Sequence, residues 1–292
     1  MSIGTMSEKI KITEAKLDGI KNLPSLPKVI MEVAEILRKP NVTAVDLAES
    51  IGRDQGITTK ILSIANSPLY GLQRQVSSLE FAIVVLGFNE INQLLTSISI
   101  SNALRQKPNE YFKFEEFWNH SLVVGTGAKN ISRELGFPEL AADAFVGGML
   151  HDMGVQLLIN YFNKQFLEIV DKYKDSDQSS LEFEKQTLGI THQEMGAYLA
   201  RKWNLPANLC NSINNHHLPS QAESDKILVS IIHLTDYMCE YLGVLPFYWD
   251  KNLQLDKSVI ETLGFASESQ LFDFIENYRE QFEDTEEYIE TL

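Results

Sequence analysis

The sequence predicts an all-α protein. Apolar residues recur at helical spacing in one segment after another, and short Pro, Gly, Ser and Asn breaks separate those segments. No alternating strand pattern of useful length interrupts them. At 292 residues and 44% hydrophobic content, the chain has enough apolar side chain to bury a full core, with disorder expected only at its ends.

Leu26, Val29, Ile30, Val33, Ile36 and Leu37 form the first helical stripe, which stops near Pro40. Thr43 with Asp46 three residues later starts a short helix to Ile51, and Asp54 starts another over Ile57 to Ala65, closed by Asn66-Ser67-Pro68. Ser78 opens a helix through Leu86, and Asn89 is the expected cap of the next, which runs to about Leu104. A polar, aromatic connector from Gln106 to Glu115 follows. Phe117, His120, Val124, Ala128, Ile131 and Leu135 then mark a long amphipathic helix ended by Gly136 and Pro138. Further helices are predicted over Ala141 to Leu150, Leu158 to Tyr173, Leu181 to Leu188, His192 to Trp203, Ala207 to His216 and Lys226 to Leu242. Pro246 to Leu255 reads as loop. Leu271, Phe274, Ile275, Tyr278, Phe282 and Ile289 line one face of a final acidic helix, a stripe that must dock on something.

The formal charge of −15 argues against a surface that neutralises phosphates, so no nucleic-acid partner is expected. Between Asp273 and Glu290 eight acids face one base, Arg279, but the rest of the chain remains acidic without them. The longest apolar run, Phe81 to Phe88, is too short to span a membrane, and Met1 to Thr13 lacks a signal-peptide core. A cytoplasmic protein is expected. Cys210 and Cys239 are too few for a disulfide framework and fall in apolar helical stretches, as reduced core thiols do.

The adjacent pair His151-Asp152, in GGMLHDMG, joins two residue types that ligate first-row transition metals. Alone the pair is weak. Five of the six histidines, His120, His151, His192, His216 and His217, lie on apolar faces or at the ends of separate predicted helices. Asp236, in IIHLTDYM, sits on another apolar face, where an unpaired carboxylate is costly. A lone histidine in such a place is usually a hydrogen-bonded core residue, whereas one shared metal centre would satisfy all of these groups together. His233, one turn before Asp236, reads as a surface or supporting residue.

The order of these residues resembles the ligand order of HD-domain phosphohydrolases, particularly the dinuclear HD-GYP type: His120, His151-Asp152, His192 in GITHQEMGAYLARKWNLP, His216-His217, Asp236. The first half is similar to HDOD proteins in LPSLPKVI (Leu23 to Ile30), IGRDQGITTKILSIANSPLYG (Ile51 to Gly71) and VSSLEFAIVVLG (Val76 to Gly87). The resemblance covers roughly residues 20 to 240. It implies an HDOD helical subdomain over 1–105 packed on an HD-like bundle over 106–245, followed by a C-terminal loop and acidic amphipathic helix over 246–292. It further implies that His120, His151, Asp152, His192, His216, His217 and Asp236 ligate a divalent transition metal, dinuclear in the HD-GYP case. Mixed imidazole and carboxylate ligands suit iron, manganese, nickel or zinc alike.

Two departures bear on activity. Where HD-GYP enzymes carry a lysine in HDxGK, this chain has Val155, and Leu218-Pro219-Ser220-Gln221 after the paired histidines bears no GYP signature. Phosphodiester hydrolysis needs positive charge or oriented donors beside the metal, and that lysine is the obvious source. The expectation is therefore a signalling protein that contacts other signalling proteins, with room for a small phosphate-containing ligand. The alternative is a working metal-dependent phosphohydrolase or cyclic-nucleotide phosphodiesterase. A third reading, DNA binding through a helix-turn-helix over Val45 to Asn66, is disfavoured because Ile57 to Asn66 offers one base, Lys60. Gly147-Gly148 is read as close helix packing, Trp118 and Trp203 as walls of the site, and Trp249 as a lid.

Overall fold

The computed structural model describes residues 5–20, 25, 27–105 and 110–290. The expectations resting on Leu23, Pro24, Leu26, residues 106–109 and the side chain of Ile289 lie outside the described residues. The chain is helical throughout, with no strand among the described residues.

The first helices are α1 (Met6–Asp18), α2 (Lys28–Leu37), α3 (Ala44–Ile51), α4 (Gln55–Ala65), α5 (Leu79–Leu86) and α6 (Phe88–Ala103). Helix α1 has no apolar stripe in the sequence, since it buries only Thr13 and Leu17. A Thr5–Glu8 capping box starts it, and Thr13 donates to the Leu188 carbonyl at 2.8 Å. The predicted starts at Thr43, Asp54 and Ser78 are real caps, each side chain accepting from the amide three residues on. Asn89 is not one. Gly87 precedes α6 at φ 86°, a left-handed value that lets the chain turn 119° between α5 and α6, so the helix begins before Asn89.

In α3 and α4 the faces carrying Leu47, Ala48, Ile51, Ile57, Ile61 and Ile64 are buried, as in core helices. Lys60 lies 3.7 Å from the Trp118 ring centre and donates to Asn102 Oδ1 at 3.0 Å. Trp118 therefore walls the α4 junction.

The central helix is α7 (Phe114–Glu134), packed on α8 (Ala141–Leu150) and on α14 (Lys226–Leu242). Gly148 makes the α7–α8 approach possible, since a Cβ there would stand 2.8 Å from Gly125 Cα. Next come α9 (Met153–Tyr161) and α10 (Asn163–Tyr173), where the sequence predicts one helix from Leu158 to Tyr173. The break falls at Phe162 (φ −126°, ψ 32°), whose ring is buried beneath the Lys16 ammonium; no proline or glycine announces it. Helices α11 (Ser180–Leu188), α12 (His192–Lys202) and α13 (Ala207–Asn215) follow, with α12 packed on α9 and α13.

After α14 come α15 (Ser258–Thr262), α16 (Glu268–Asn277) and α17 (Arg279–Glu290). The single predicted acidic helix is thus two, separated at Tyr278, whose hydroxyl donates to Glu134 at 2.5 Å. Its stripe does dock: Leu271, Ile275 and Phe282 are fully buried, and Tyr288 donates to the Ser63 carbonyl at 3.1 Å. Lys129 on α7, 5% exposed, pairs with Glu90 on α6, which also accepts from Tyr70. No single helix among the described residues is long and apolar enough to cross a membrane. Cys210 and Cys239 are free and buried.

Candidate metal centre

Helix ends build most of the site. His151 closes α8 and Asp152 precedes α9; His192 is the first residue of α12, behind a Thr191–Glu194 capping box; His216 closes α13 and His217 follows it. His120 and Asp236 project from within α7 and α14. All seven predicted residues are at most 4% exposed, and the fold brings all seven together.

Joined by Asp250, they fall into two groups whose ligand atoms lie within 4.8 Å of one another: Asp152, His192, His216 and His217 in one, and His120, His151, Asp236 and Asp250 in the other. Asp152 straddles them. Its Oδ1 stands 3.2 Å from His192 Nε2 and 3.4 Å from His216 Nε2, while its Oδ2 stands 3.4 Å from His151 Nε2. Asp236 Oδ1 is 3.3 Å from His120 Nε2 and 3.8 Å from His151 Nε2.

Backbone and carboxylate acceptors set the tautomers. His151 Nδ1 contacts the Gly148 carbonyl at 2.6 Å, His216 Nδ1 the Ile213 carbonyl at 2.8 Å, and His120 Nδ1 the Leu245 carbonyl at 3.0 Å. Glu184 accepts from His192 Nδ1 at 2.8 Å, from the His192 amide at 2.6 Å and from Trp249 Nε1 at 2.5 Å. A neutral imidazole carries one proton, so commitment of Nδ1 leaves Nε2 a bare lone pair pointing inward. Yet His192 Nε2 stands 3.3 Å from His216 Nε2; it also lies 3.1 Å from Nε2 of His217, whose Nδ1 has no hydrogen-bond partner to fix its tautomer. Converging lone pairs repel unless a metal ion or a proton lies among them, and although burial opposes it, the carboxylates of Glu184 and Asp152 raise the proton affinity of His192. The spacing agrees with a metal ion, because bonds of 2.0–2.1 Å in tetrahedral geometry separate ligand atoms by about 3.4 Å.

Burial would push the carboxyl of Asp152 up, but His151, His192 and His216 hold it well below the carboxylate range. Burial also lowers His216 and His217, keeping both neutral and able to donate a lone pair. Asp250 is driven well above its ordinary value by burial and by the charges of Asp152 and Asp236. Both oxygens of Asp152, Asp236 and Asp250 and the Nε2 atoms of His120 and His151 are buried with no hydrogen-bond partner. Such a concentration of unsatisfied polar atoms fits a cation-binding centre and is costly otherwise.

Two participants escaped the sequence reading, and a third was read only in part. Asp250, in the one-turn helix Tyr248–Asp250, belongs to a segment read as loop. Glu184, on α11, has the sequence context of a solvated helix face. His233, read as a surface or supporting residue, is fully buried and plays the second part: its Nδ1 contacts the His216 carbonyl at 2.7 Å and its Nε2 accepts from the Asp256 amide at 2.9 Å. Trp249 is buried, stacks on Phe166 at 5.1 Å, and covers the centre from the Glu184 side, as a lid would. Val155 is buried, with no charge to offer. A cavity of about 120 Å³ borders the centre, lined by Ser180, Leu181, His217, Trp249, Asp250 and Gln254 among others.

The HDOD domain model matches residues 23–219, two thirds of the chain. The chain belongs to the HDOD family. An HDOD domain protein of unknown function from Geobacter sulfurreducens superposes with a TM-score of 0.76 at 21% identity, over 97% of both chains. A Shewanella amazonensis protein provisionally named a phosphohydrolase gives 0.69 at 22% identity, over 95% of this chain and 97% of that one. A Marinobacter aquaeolei protein provisionally named a signal transduction protein gives 0.72 at 18% identity, over 99% of this chain and 67% of that one. At these identities the likeness shows the fold. An uncharacterized Treponema pallidum protein is 24% identical over 97% of this HDOD chain, which spans about half of that relative's length.

Proposed function

We propose that this HDOD protein is a bacterial, cytoplasmic signalling module built around a dinuclear His/Asp metal centre, whose output is contact with other signalling proteins rather than turnover. The observation that carries the metal assignment is the convergence of the His192 and His216 Nε2 atoms, 3.3 Å apart and both with Nδ1 committed elsewhere, beside carboxylates with no hydrogen-bond partner. His192, His216 and His217 would hold one ion and His120, His151 and Asp236 the other, with Asp152 shared between them. Iron, manganese, nickel and zinc all suit such ligands.

When bound, divalent ions of this kind supply Lewis acidity towards a phosphoryl oxygen. What the chain adds is orientation: Glu184 fixes the tautomer of His192, and three backbone carbonyls do the same for His120, His151 and His216. Val155 takes the place of the lysine that would balance charge developing on a phosphodiester. Lys251, on the cavity wall, donates to the Lys174 carbonyl at 2.8 Å. The cavity is also smaller than the roughly 300–1,000 Å³ of pockets that take drug-sized ligands, so a cyclic dinucleotide has no evident seat.

The second reading, a metal-dependent phosphohydrolase acting on a small phosphate ester, is favoured by that cavity's contact with His217 and Asp250. Elemental analysis of protein purified without chelators or metal-affinity resin, combined with assays against cyclic dinucleotides and a generic phosphodiester, separates the two. Stoichiometric metal without turnover supports the signalling module. Turnover lost in Asp152→Ala supports the hydrolase, and a folded protein without metal overturns both.

A further inference from the structure

Asp250 enters the centre from outside the helical scaffold. Its side chain is 2% exposed, with Oδ1 3.3 Å from His217 Nε2 and Oδ2 3.8 Å from His120 Nε2. Neither oxygen has a hydrogen-bond partner. His217 and His120 belong to different ligand groups, so Asp250, like Asp152, presents one oxygen to each. Two oxygens on one atom, spanning two cation sites with a single negative charge, also describe two oxygens of a phosphate.

The segment carrying Asp250 is fastened by polar contacts and by the buried ring of Trp249, which stacks on Phe166 of α10 at 5.1 Å. Trp249 donates to Glu184, Tyr173 donates to the Trp249 carbonyl at 3.2 Å, and Lys251 donates to the Lys174 carbonyl. On either side of Asp250, Leu245 (φ 43°) and Asn252 (φ 71°) lie in the left-handed region, where a β-substituted residue such as Leu245 is strained. The cavity lies against this same segment, with Asp250 and His217 both in its wall.

We propose that Asp250 is a built-in anionic ligand that occupies the position a bridging inorganic phosphate or phosphomonoester would take, making the 246–255 segment a competitor for external oxyanions. The inference rests on the metal-binding reading above. Displacing Asp250 would free the space between His217 and His120 for an anion that enters from the cavity. Its size selects phosphate or a small ester over a nucleotide.

The test uses full-length, metal-loaded protein as wild type, Asp250→Ala and Asp250→Asn, with inorganic phosphate titrated calorimetrically and metal content measured on the same samples. Asp250→Ala should bind phosphate at least tenfold more tightly than wild type, with Asp250→Asn in between. Hydrogen exchange should show residues 247–253 protected by metal in wild type and not in Asp250→Ala. Equal phosphate affinity in all three metal-loaded proteins, or protection that persists without the carboxylate, overturns the proposal while leaving the metal centre intact. Absence of metal from wild type sinks the metal reading itself. If Asp250→Ala does not fold or loses metal, the isosteric Asp250→Asn decides: tighter phosphate binding than wild type sustains the proposal, and equal binding overturns it.

Discussion

Single residues set the tolerances of this centre. Gly154, in the HDMG stretch, is where α9 crosses α12; a Cβ there would stand 1.8 Å from the His192 carbonyl oxygen and 2.8 Å from the Gly196 amide. Backbone cannot swing aside as a flexible side chain can, so Gly154→Ala should push the start of α12, and His192 with it, away from Asp152. Metal content should fall by about one ion per chain, and the variant should lose about 3 kcal/mol or more. Full metal occupancy in Gly154→Ala, read by mass spectrometry, would contradict this geometry. Lys60 illustrates a different constraint. Burial, with Arg105 adding to it, brings its amine down to about 8, below the 10.5 of a free lysine. The unfolded chain therefore binds a proton that the folded chain gives up between those values. The burial cost is complete below about pH 8 and disappears as pH rises towards 10.5. Contact with the Trp118 ring and Asn102 offsets part of it. Lys60→Met should thus stabilise the protein by on the order of 1 kcal/mol at pH 7, and the gain should shrink by pH 9.5. Urea midpoints of both proteins at the two pH values decide; a gain that grows with pH would refute the sign.

At the scale of elements, much of the fold is legible because periodicity and caps report local energetics. The bounds Ala141–Leu150 and Lys226–Leu242 come directly from the apolar pattern, and the caps at Thr43, Asp54 and Ser78 from the side chains that satisfy first-turn amides. The breaks at Phe162 and Tyr278 are not legible, since long-range burial of aromatic rings makes them and either residue can continue a helix. The ligand set divides the same way. His120, His192 and Asp236 announce themselves as polar residues on apolar faces, whereas Asp250 gains its place only when 246–255 folds over the centre. Glu184 looks like one acid of a charged helix until His192 and Trp249 reach it. Helix α17 is the element whose docking the sequence demands without naming the receiver. Phe282 supplies it: fully buried, its ring lies where a Cβ on Gly127 of α7 would be 2.9 Å away. Phe282→Ala should cost about 3–5 kcal/mol by chemical denaturation. A loss below about 1 kcal/mol would mean that α17 is peripheral.

For the molecule as a whole, α7 is where the parts meet. It carries His120 into the centre, Lys129 to Glu90 of α6, and Gly127 against Phe282 of α17. The remaining ligands come from the ends of α8, α12 and α13, from α14, and from the junction before α9, so an ion held among them ties together segments distant in sequence. Because the unfolded chain has no such assembled site, binding free energy becomes folding free energy. With free metal about a thousandfold above its dissociation constant, the stabilisation is about 4 kcal/mol, or on the order of 10 °C in Tm for a domain of this size. Chelation should produce a drop of that order. Acidification through the imidazole range should do the same, because protons compete with metal for the bare Nε2 atoms, so metal-dependent stability is retained at neutral pH and lost as pH falls. Asp152→Ala removes the carboxylate shared by both ligand groups, and its melting temperature should respond little to chelator or to added metal. Calorimetric scans of both proteins with and without metal, at pH 7.5 and 5.5, test the whole relation. If wild type melts at one temperature under all four conditions, the histidines and aspartates form a polar core that folds without metal, and the dinuclear centre is refuted.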